Sequence, residues 1–158
     1  MNIIPISETN REKVDNHIAE NWAGPYIATN GVLHDTRNHS GFVAESNGEI
    51  IGYILYNITE SNCEITVLES LREKQGVGSV LIKAIIQEAK KAKCNRVWLI
   101  TTNDNTPAIR FYQRRGFSLQ AVHINAVEKS RKLKPQIPLL GLDDIPIAHE
   151  FEFEMLLD

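Results

Sequence analysis

One stretch restricts the fold more than any other: a long amphipathic helix that leads into a short, wholly apolar run. Over residues 77–92 apolar side chains recur every three or four positions, and lysines and a glutamine take the opposite face, which predicts one helix. Within residues 96–101, the run Val97-Trp98-Leu99-Ile100 is continuously apolar. Such a run is typical of a strand that is buried on both faces in the parallel part of a sheet. The sequence therefore predicts a helix packed on a partly parallel sheet.

Further strands are predicted on both sides of this helix. The turn signals Asn47-Gly48 and Ser61-Asn62 divide the region before it into an antiparallel meander. Near the end of the chain, apolar residues alternate with glutamates, which predicts a strand with one buried and one exposed face. The predicted strands cover residues 3–7, 41–46, 49–58, 63–68, 96–101, 119–126 and 149–157.

Two more helices complete the prediction. The first covers residues 10–21, with Thr9 as its cap. The second is capped by Asn105 or Thr106, has Pro107 at its first helical position and stops at Gly116. Residues 23–40 carry no clear period and are predicted to be a loop, or a short helix that the pattern does not resolve. The whole chain, residues 1–158, is thus predicted to be one domain of the mixed α/β class.

Composition and charge exclude several classes of function. The 158 residues are 42% hydrophobic and 23% charged with a net charge of −3, so we expect a globular protein that does not bind nucleic acid. The apolar run at residues 50–56 is far too short to span a bilayer, and residues 1–5 lack a basic leader. We therefore expect a cytoplasmic protein with no membrane partner. Cys63 and Cys94 form no CxxC motif and are expected to be reduced and buried.

The densest chemical signal lies where the main helix begins, in residues 72–79. Glycines at positions 76 and 78 let a backbone approach a ligand without a Cβ clash, and the first turn of a helix leaves N–H groups unpaired beside a partial positive charge. The loop predicts a pyrophosphate site, and a plain turn from strand to helix is the alternative. It is not a P-loop, because Ser79-Val80 follows Gly78 in place of Lys-Ser/Thr. It is not a dinucleotide fingerprint either, because Leu81 stands where a third glycine is required.

A second cluster occupies residues 105–117. Together the two clusters resemble the GNAT superfamily of acyl-CoA-dependent N-acyltransferases, in which a Gln/Arg-x-x-Gly-x-Gly/Ala loop is followed, one helix and one strand later, by N-x-x-A-x-x-F-Y-x-x-x-G-F. The first pattern departs at its Gln/Arg position, where Glu73 stands, and we expect that carboxylate to face solvent. The resemblance implies the GNAT fold, with a splayed pair of parallel strands that holds the donor. The second pattern is matched at Asn105, Ala108, Phe111, Tyr112, Gly116 and Phe117.

The same resemblance implies acetyl-CoA, or another short acyl-CoA, as the donor, and no metal. The pantetheine arm is expected between the strand ending at Leu68 and residues 96–101. Asn105 is implied to bond along that arm and Tyr112 to be the general acid for the leaving thiolate. Helix capping by Asn105 and simple packing of Tyr112 are the alternatives that the residues leave open. The implied donor site comprises Val67, Leu68, Lys74, Gln75, Gly76, Val77, Gly78, Ser79, Asn105, Ala108 and Tyr112.

The acceptor is expected to be a primary amine that attacks the thioester directly. An alkylammonium of pKa about 10.4 must first lose a proton, which at pH 7 costs about 4.6 kcal/mol. Glu64 is the leading candidate for the base, on a strand face shared with Thr66 and Leu68, and a solvated glutamate is the alternative. A metal site at His34 and His39 is not expected, because no third ligand is clustered with them. Three further residues stand in reserve as the base: His34, Asp35 and Glu69.

Two segments are expected to shape the choice of acceptor, residues 22–40 and residues 128–147. The second carries four cations in six residues, 129–134, and by the family resemblance borders the acceptor site. We therefore expect an acceptor amine that also carries a carboxylate or phosphate; a solvated charged loop or a dimer contact is the alternative. The residues of these segments expected to meet the acceptor are Trp22, Tyr26, His34, Asp35, Arg131 and Lys132.

A non-catalytic acyl-CoA-binding sensor of the same fold is the rival function, and turnover of acetyl-CoA with any amine separates the two. A nucleic-acid-associated factor is suggested only by the basic run, against the net charge. Fold analogy does not identify the acceptor, which can be a small molecule or a peptide. The protein is expected to be a monomer or a homodimer.

Overall fold

A computed structural model describes all 158 residues, which form a seven-stranded sheet, a separate two-stranded hairpin and four α-helices. Short 3₁₀ turns occur at Thr36–Asn38 and Leu142–Asp144. The helices are α1 (Arg11–Asn21), α2 (Val77–Lys91), α3 (Thr106–Arg114) and α4 (Val127–Leu133). The strands are β1 (Asn2–Pro5), β2 (Tyr26–Thr29), β3 (Val32–Asp35), β4 (Ser40–Ser46), β5 (Glu49–Thr59), β6 (Asn62–Ser70), β7 (Arg96–Thr102), β8 (Ser118–His123) and β9 (Glu150–Leu156).

The large sheet has the order β1-β4-β5-β6-β7-β9-β8. All neighbours are antiparallel except β6 and β7, which are parallel and joined by the crossover helix α2. This arrangement confirms the predicted mixed α/β class, and the helix predicted at residues 77–92 begins where predicted and ends one residue earlier. Its position between β6 and β7 places the loop at residues 72–79 at one end of the parallel pair.

Apolar side chains on the two faces of the sheet form two cores. The larger contains Leu81 and Ile85 of α2 together with the buried free cysteines Cys63 and Cys94. The smaller packs Val14 and Ile18 of α1 on the opposite face. Helices therefore cover both faces of the sheet, and none of the four is long and apolar enough to cross a membrane.

Residues 23–40 are not the loop that the sequence predicts. They contain the hairpin β2–β3, whose strands pair antiparallel from Tyr26 with Asp35 to Thr29 with Val32. Asn30 and Gly31 both take positive φ (51° and 72°), as a two-residue hairpin turn requires. Asn30-Gly31 is a turn signal in the sequence, but strands of four residues are too short to show a clear alternation of apolar and polar residues.

Several boundaries also differ from the prediction. β8 ends at His123 instead of residue 126, because Asn125 turns the chain with φ 59° into α4, a helix that the sequence did not predict. The turn between β5 and β6 lies at Glu60-Ser61, one residue earlier than predicted, with Glu60 at φ 57°.

Three local predictions in helices and strands were wrong. Thr9 does not cap α1; Asn10 precedes the helix, and its Oδ1 accepts a hydrogen bond from the Ser7 N–H at 2.8 Å. Pro107 was predicted at the first helical position, but α3 begins at Thr106 and Pro107 is its second residue. β7 is not buried on both faces, because Trp98 is half-buried under the Arg96 guanidinium, 4.9 Å from the ring centroid.

Candidate active site

A cleft opens where β6 and β7 separate. Their parallel pairing runs from Asn62 with Arg96 to Ile65 with Leu99 and continues no further. At the same level β6 carries a bulge, because Tyr56 of β5 pairs with Ile65 but Leu55 pairs with Val67, which leaves Thr66 extra. A bulge bends its strand and raises its twist, and here it turns β6 away from β7. The backbone groups of β6 beyond the bulge have lost their ladder partner on the β7 side.

The resulting cavity measures about 260 Å³ and is lined by β6, β7, the start of α3 and the segments around β2 and α4. Asn105 caps α3, and its Oδ1 accepts from the Ala108 N–H at 3.3 Å. Capping and cavity lining are thus combined in one residue. The predicted donor-site residues that the structure brings to this cavity are Val67, Leu68, Asn105, Ala108 and Tyr112.

The loop at residues 74–79 lies outside this cavity, at the beginning of α2. Lys74 and Gly76 take positive φ (62° and 75°), which turns the chain so that the helix begins at Val77. Lys74, Gln75 and Gly76 are exposed, whereas Val77 and Gly78 are buried. Glu73 faces solvent as expected.

Two arginines near the loop are paired with other groups of the chain. Arg72 is paired with Glu49 at 3.0 Å. Arg115, which the sequence analysis did not select, donates from Nε to the Ser79 Oγ at 2.8 Å. Its guanidinium carbon lies 3.5 Å from the ring centroid of Phe111, so it ties the second motif to the first.

Tyr112 packs against neighbouring aromatic rings and also lines the cleft. Its ring packs edge-on against Phe111 and Phe117, with centroids 5.2 and 5.5 Å away. The residue lines the cleft, and its hydroxyl makes no hydrogen bond within the chain. Burial raises the pKa of the phenol, which therefore stays protonated at neutral pH and can donate to a group in the cleft.

Glu64 lies just below the cleft, one residue before Ile65, which lines it. The residue is 8% exposed. Burial, helped by the nearby carboxylates of Glu152 and Glu150, raises the pKa of Glu64 to about 7. Its Oε2 lies 3.9 Å from Nε2 of His34.

Glu64 was predicted to share a strand face with Thr66 and Leu68, and for Leu68 this prediction was wrong. The bulge at Thr66 breaks the alternation, so Val67 packs into the α1 core while Leu68 packs against the α2 core, on the same side as Ile65. Glu64 and Leu68 therefore lie on opposite faces.

Two histidines stand beside Glu64 and the bulge. His39 is buried, and its Nδ1 lies 2.8 Å from Oγ1 of Thr66, which lines the cleft. The His34 and His39 rings are 5.5 Å apart. Burial lowers the pKa of both imidazoles, so each is neutral at pH 7. The contact between His39 and Thr66 was missed in the sequence, because it depends on the bulge.

The other reserve bases are held differently. Asp35 makes a two-point pair with Arg37, with the closer contact at 2.8 Å, and this pairing lowers the pKa of Asp35. Burial raises the pKa of Glu69, which adjoins the cleft residue Leu68 as Glu64 adjoins Ile65, but Glu69 is half-buried whereas Glu64 is buried.

Of the residues predicted to meet the acceptor, Trp22 lines the cleft, whereas Tyr26 is exposed and bonded to Arg37. Lys132 is exposed and lies outside the cleft. Arg131 has a structural role: its guanidinium donates to three backbone carbonyls in the connection between α4 and β9, those of Ile137, Pro138 and Ile147, at 3.2, 3.0 and 3.0 Å. Neither side chain lines the cleft, so the structure does not support the placement of Arg131 and Lys132 at the acceptor, which stays a prediction.

Two charged residues join the acceptor segments at the cleft: Lys134, one of the four cations of the predicted basic run, and Glu150, which was not predicted. The Lys134 Nζ donates to the carbonyls of Trp22 and Tyr26. The Glu150 carboxylate, 1% exposed, accepts from the Asn30 N–H at 2.9 Å and the Ser130 hydroxyl at 3.0 Å. The alternation in β9 put Glu150 on a solvent face, because the sequence did not predict the hairpin that buries it.

Comparison of the chain with known proteins identifies the family to which it belongs. Residues 8–117 match the family described as "Acetyltransferase (GNAT) family". An uncharacterised Bacillus subtilis protein, YdhI, is 42% identical over 159 residues, covering 100% of this chain and 99% of YdhI. The spermine/spermidine N(1)-acetyltransferase of the same organism is 27% identical over 132 residues, covering 74% of this chain and 87% of the relative.

A solved structure supports the fold. A GNAT family acetyltransferase from Elizabethkingia anophelis, crystallised with acetyl-CoA bound, superposes with a TM-score of 0.71 at 19% identity, covering 99% of this chain and 97% of that one. The family match spans more than half of the chain, and the cleft between β6 and β7 has the position that the sequence motifs predict. The chain is a member of the GNAT acetyltransferase family.

Proposed function

We propose that this protein transfers the acetyl group of acetyl-CoA to a primary amine by direct attack of the amine on the thioester. The observation that carries the proposal is the opening between β6 and β7 beyond Ile65 and Leu99, which Tyr112 lines. A strand edge without ladder partners binds an extended, amide-bearing chain such as pantetheine, as in strand addition. The acetyl-CoA held by the solved relative of the same fold supports acetyl-CoA as the donor.

The start of α2 provides the binding site for the donor pyrophosphate. The first turn leaves backbone N–H groups unpaired at the positive end of this fifteen-residue helix, next to the exposed Gly76, and Lys74 adds a cation. The loop lies outside the cleft, which suits a donor whose thioester end and phosphate end are far apart.

The reaction balances with groups present in the chain and solvent. The acceptor enters as an ammonium and loses one proton to Glu64, directly or through a water molecule. The amine then forms a C–N bond to the thioester carbon, and the C–S bond breaks. The thiolate takes the Tyr112 proton, the nitrogen loses its second proton to solvent, and the phenolate is reprotonated from solvent. Glu64 then releases the proton that it accepted to solvent. The products are the N-acetyl acceptor, CoA and one proton.

Glu64 suits the base role better than the other candidates. A pKa of about 7 lets it be ionised, and still basic, at neutral pH. The alternative route runs from the cleft through the Thr66 hydroxyl to His39, whose imidazole is neutral. The two routes differ in which side-chain replacement abolishes turnover.

The decisive experiment is a thiol-release assay with acetyl-CoA and a panel of primary amines. We expect release with at least one amine, at a rate that rises with amine concentration and saturates. Tight acetyl-CoA binding without release for any amine favours the non-catalytic sensor instead. Replacement of Tyr56, a half-buried tyrosine outside the cleft, by phenylalanine is the matched control for changes at Tyr112.

A further inference from the structure

The edge of strand β2 that is turned away from β3 carries unpaired backbone groups. The hairpin turns over two residues, so Thr29 and Val32 form its first hydrogen-bonded pair, and hydrogen-bonded and open pairs alternate from there. The bond from the Thr36 N–H to the Pro25 carbonyl, at 3.0 Å, continues this alternation beyond the strands. Ala28 belongs to an open pair, and its N–H and C=O are therefore directed away from β3.

Both backbone groups of Ala28 are buried at the cleft. The residue is 8% exposed and lines the cleft, and neither its N–H nor its C=O makes a hydrogen bond within the chain. The same edge of β2 borders the cleft at Tyr26, whose carbonyl accepts from the cleft residue Lys134. Buried backbone groups are almost always paired, so an open donor and an open acceptor on one residue indicate a ligand that supplies both partners.

Side chains of the same lining also have hydrogen-bonding capacity to spare. Oγ1 of Thr29 and Nε1 of Trp22 are buried and make no hydrogen bond. The Glu150 carboxylate has two neutral donors as partners, and its oxygens can accept further hydrogen bonds. The acceptor side of the cleft therefore suits a polar molecule that both donates and accepts hydrogen bonds.

We propose that the acceptor amine is the N-terminus of an extended peptide, which pairs with the edge of β2 by strand addition. A backbone carbonyl of the peptide accepts from the Ala28 N–H, and a backbone N–H of the peptide donates to the Ala28 C=O. An alkylamine or a polyamine has no carbonyl, so it leaves the Ala28 N–H unpaired. This inference rests on the proposed function and deepens it, because it names the class of acceptor.

The first test compares alaninamide with trialaninamide, which present the same α-amino group and differ in the length of backbone behind it. With saturating acetyl-CoA, we expect kcat/KM for the tripeptide amide to exceed that for alaninamide by about tenfold or more, because additional backbone hydrogen bonds form in the cleft. Calorimetric binding of each compound to the CoA-loaded protein should show the same preference without turnover.

The two measurements separate this inference from the proposed function. Binding of trialaninamide without thiol release from acetyl-CoA contradicts the transferase function and leaves the peptide site supported. Thiol release with alkylamines, together with no binding of trialaninamide or with equal binding of the two amides, overturns the peptide site and leaves the transferase function.

Methylation of the peptide nitrogens tests strand pairing with the protein unchanged. Successive N–H groups of an extended chain point to opposite sides, so only alternate ones can reach β2. Methylation at either the second or the third residue of trialaninamide should weaken binding by about tenfold or more, and methylation at the other of these two residues should weaken it by about threefold or less. Equal losses from the two methylated peptides would contradict strand addition.

Ala28→Pro removes the donor on the protein side. Proline is tolerated in an edge strand where its position supplies no ladder N–H, so the hairpin should still form. We expect the preference for trialaninamide over alaninamide to fall by about tenfold, while the affinity for acetyl-CoA holds. Leu33→Pro is the matched control, because Leu33 lies opposite Ala28 in the same open pair, and its N–H is directed to the far edge of β3.

The comparison of the two proline variants decides whether the Ala28 N–H selects the acceptor. A preference that falls in Ala28→Pro and holds in Leu33→Pro supports the peptide site. An equal fall in both variants, or an unchanged preference in Ala28→Pro, would mean that the edge of β2 does not pair with the acceptor.

Discussion

A Cβ atom on Gly78 would lie 2.8 Å from Cζ of Phe111, closer than real side chains approach. Gly78 belongs to the loop at the start of α2, and Phe111 to the motif on α3, so the two sequence clusters meet at this contact. The guanidinium of Arg115 covers the Phe111 ring at 3.5 Å and holds it there. Glycine at position 78 is therefore required by packing between the motifs, in addition to any close approach of the donor.

Gly78→Ala should destabilise the protein by about 1–3 kcal/mol, the usual cost of an overpacked core. The methyl group must displace the Phe111 ring, against which the Arg115 guanidinium is stacked. Urea unfolding measures the loss, and the double variant Gly78→Ala, Phe111→Leu should recover most of it, because leucine lacks the ring atoms that clash. Equal losses of unfolding free energy in the single and double variants would mean that position 78 needs glycine for its backbone conformation and that the contact with Phe111 is not the cause.

Tyr112→Phe should lower kcat by about 10²–10⁴-fold, the typical contribution of a general acid or base. The ring contacts with Phe111 and Phe117 are kept, so the unfolding free energy and the acetyl-CoA affinity should change little. The thiol-release assay measures kcat, with Tyr56→Phe as the control. A wild-type kcat in Tyr112→Phe would leave the tyrosine a packing role only.

Glu64→Gln should remove a pH-dependent step from catalysis. The ionisation of the free amine affects kcat/KM equally in both proteins, so it cancels in the ratio of wild-type to variant kcat/KM. This ratio should rise with pH and level off above about 7 as Glu64 ionises. His39→Asn is the matched comparison: if it abolishes turnover and Glu64→Gln does not, the proton leaves through Thr66 and His39.

Glu64→Gln should also stabilise the protein above neutral pH. The pKa of Glu64 in the folded chain, about 7, lies above its ordinary value of 4.5, so the folded state binds the proton more tightly. Stability is therefore full below pH 4.5 and falls as pH rises through 7, by at most about 3 kcal/mol. Urea unfolding at pH 5 and pH 8 should show this loss in the wild type and not in the variant, which is the trade of stability for activity expected at a functional site.

The sequence predicted the parts of the site that depend on local patterns. The periodicity of α2, the cap at Asn105 and the stop at Gly116 are local, and the structure has them where they were predicted. The bulge at Thr66 and the burial of Glu150 depend on which strands become neighbours. Neither leaves a signal in its own segment, so both were missed.

Charge patterns misled for the same reason. Arg131 and Lys132 are adjacent cations in the sequence, yet one bonds three carbonyls of its own connection and the other is solvated. Composition gives the number of charges in a segment, whereas hydrogen-bond partners decide which of them is free to meet a ligand.

Arg131→Ala and Lys132→Ala form a matched pair. We expect Arg131→Ala to lose about 2 kcal/mol or more of unfolding free energy, because hydrogen bonds to charged groups are among the stronger ones. Lys132→Ala should stay within about 0.5 kcal/mol of the wild type, as surface changes usually do. Urea unfolding measures both. A salt-sensitive rise of acceptor KM in Lys132→Ala, with stability unchanged, would instead restore the basic run as an acceptor site.

Glu150→Ala should impair the acceptor side of the cleft while leaving the donor side intact. It leaves the buried Ser130 hydroxyl without its partner, at a cost of about 1–3 kcal/mol, and it frees the N–H of the exposed Asn30. The hairpin β2–β3 and helix α4 then lose their shared anchor, so we expect acceptor KM to rise by about tenfold or more, since small misplacements of a binding group have large kinetic effects. Acetyl-CoA affinity, measured by calorimetry, should hold because the donor loop lies at the start of α2.

Glu150→Gln provides the control for this positioning role. Its amide oxygen still accepts from the Asn30 N–H, and its NH₂ group can donate to the Ser130 hydroxyl, which rotates to accept. We therefore expect near-normal acceptor KM in Glu150→Gln despite the loss of charge. A KM as high as that of Glu150→Ala would mean that the carboxylate acts on the acceptor through its charge, whereas an unchanged KM in both variants would reduce Glu150 to a buried structural residue.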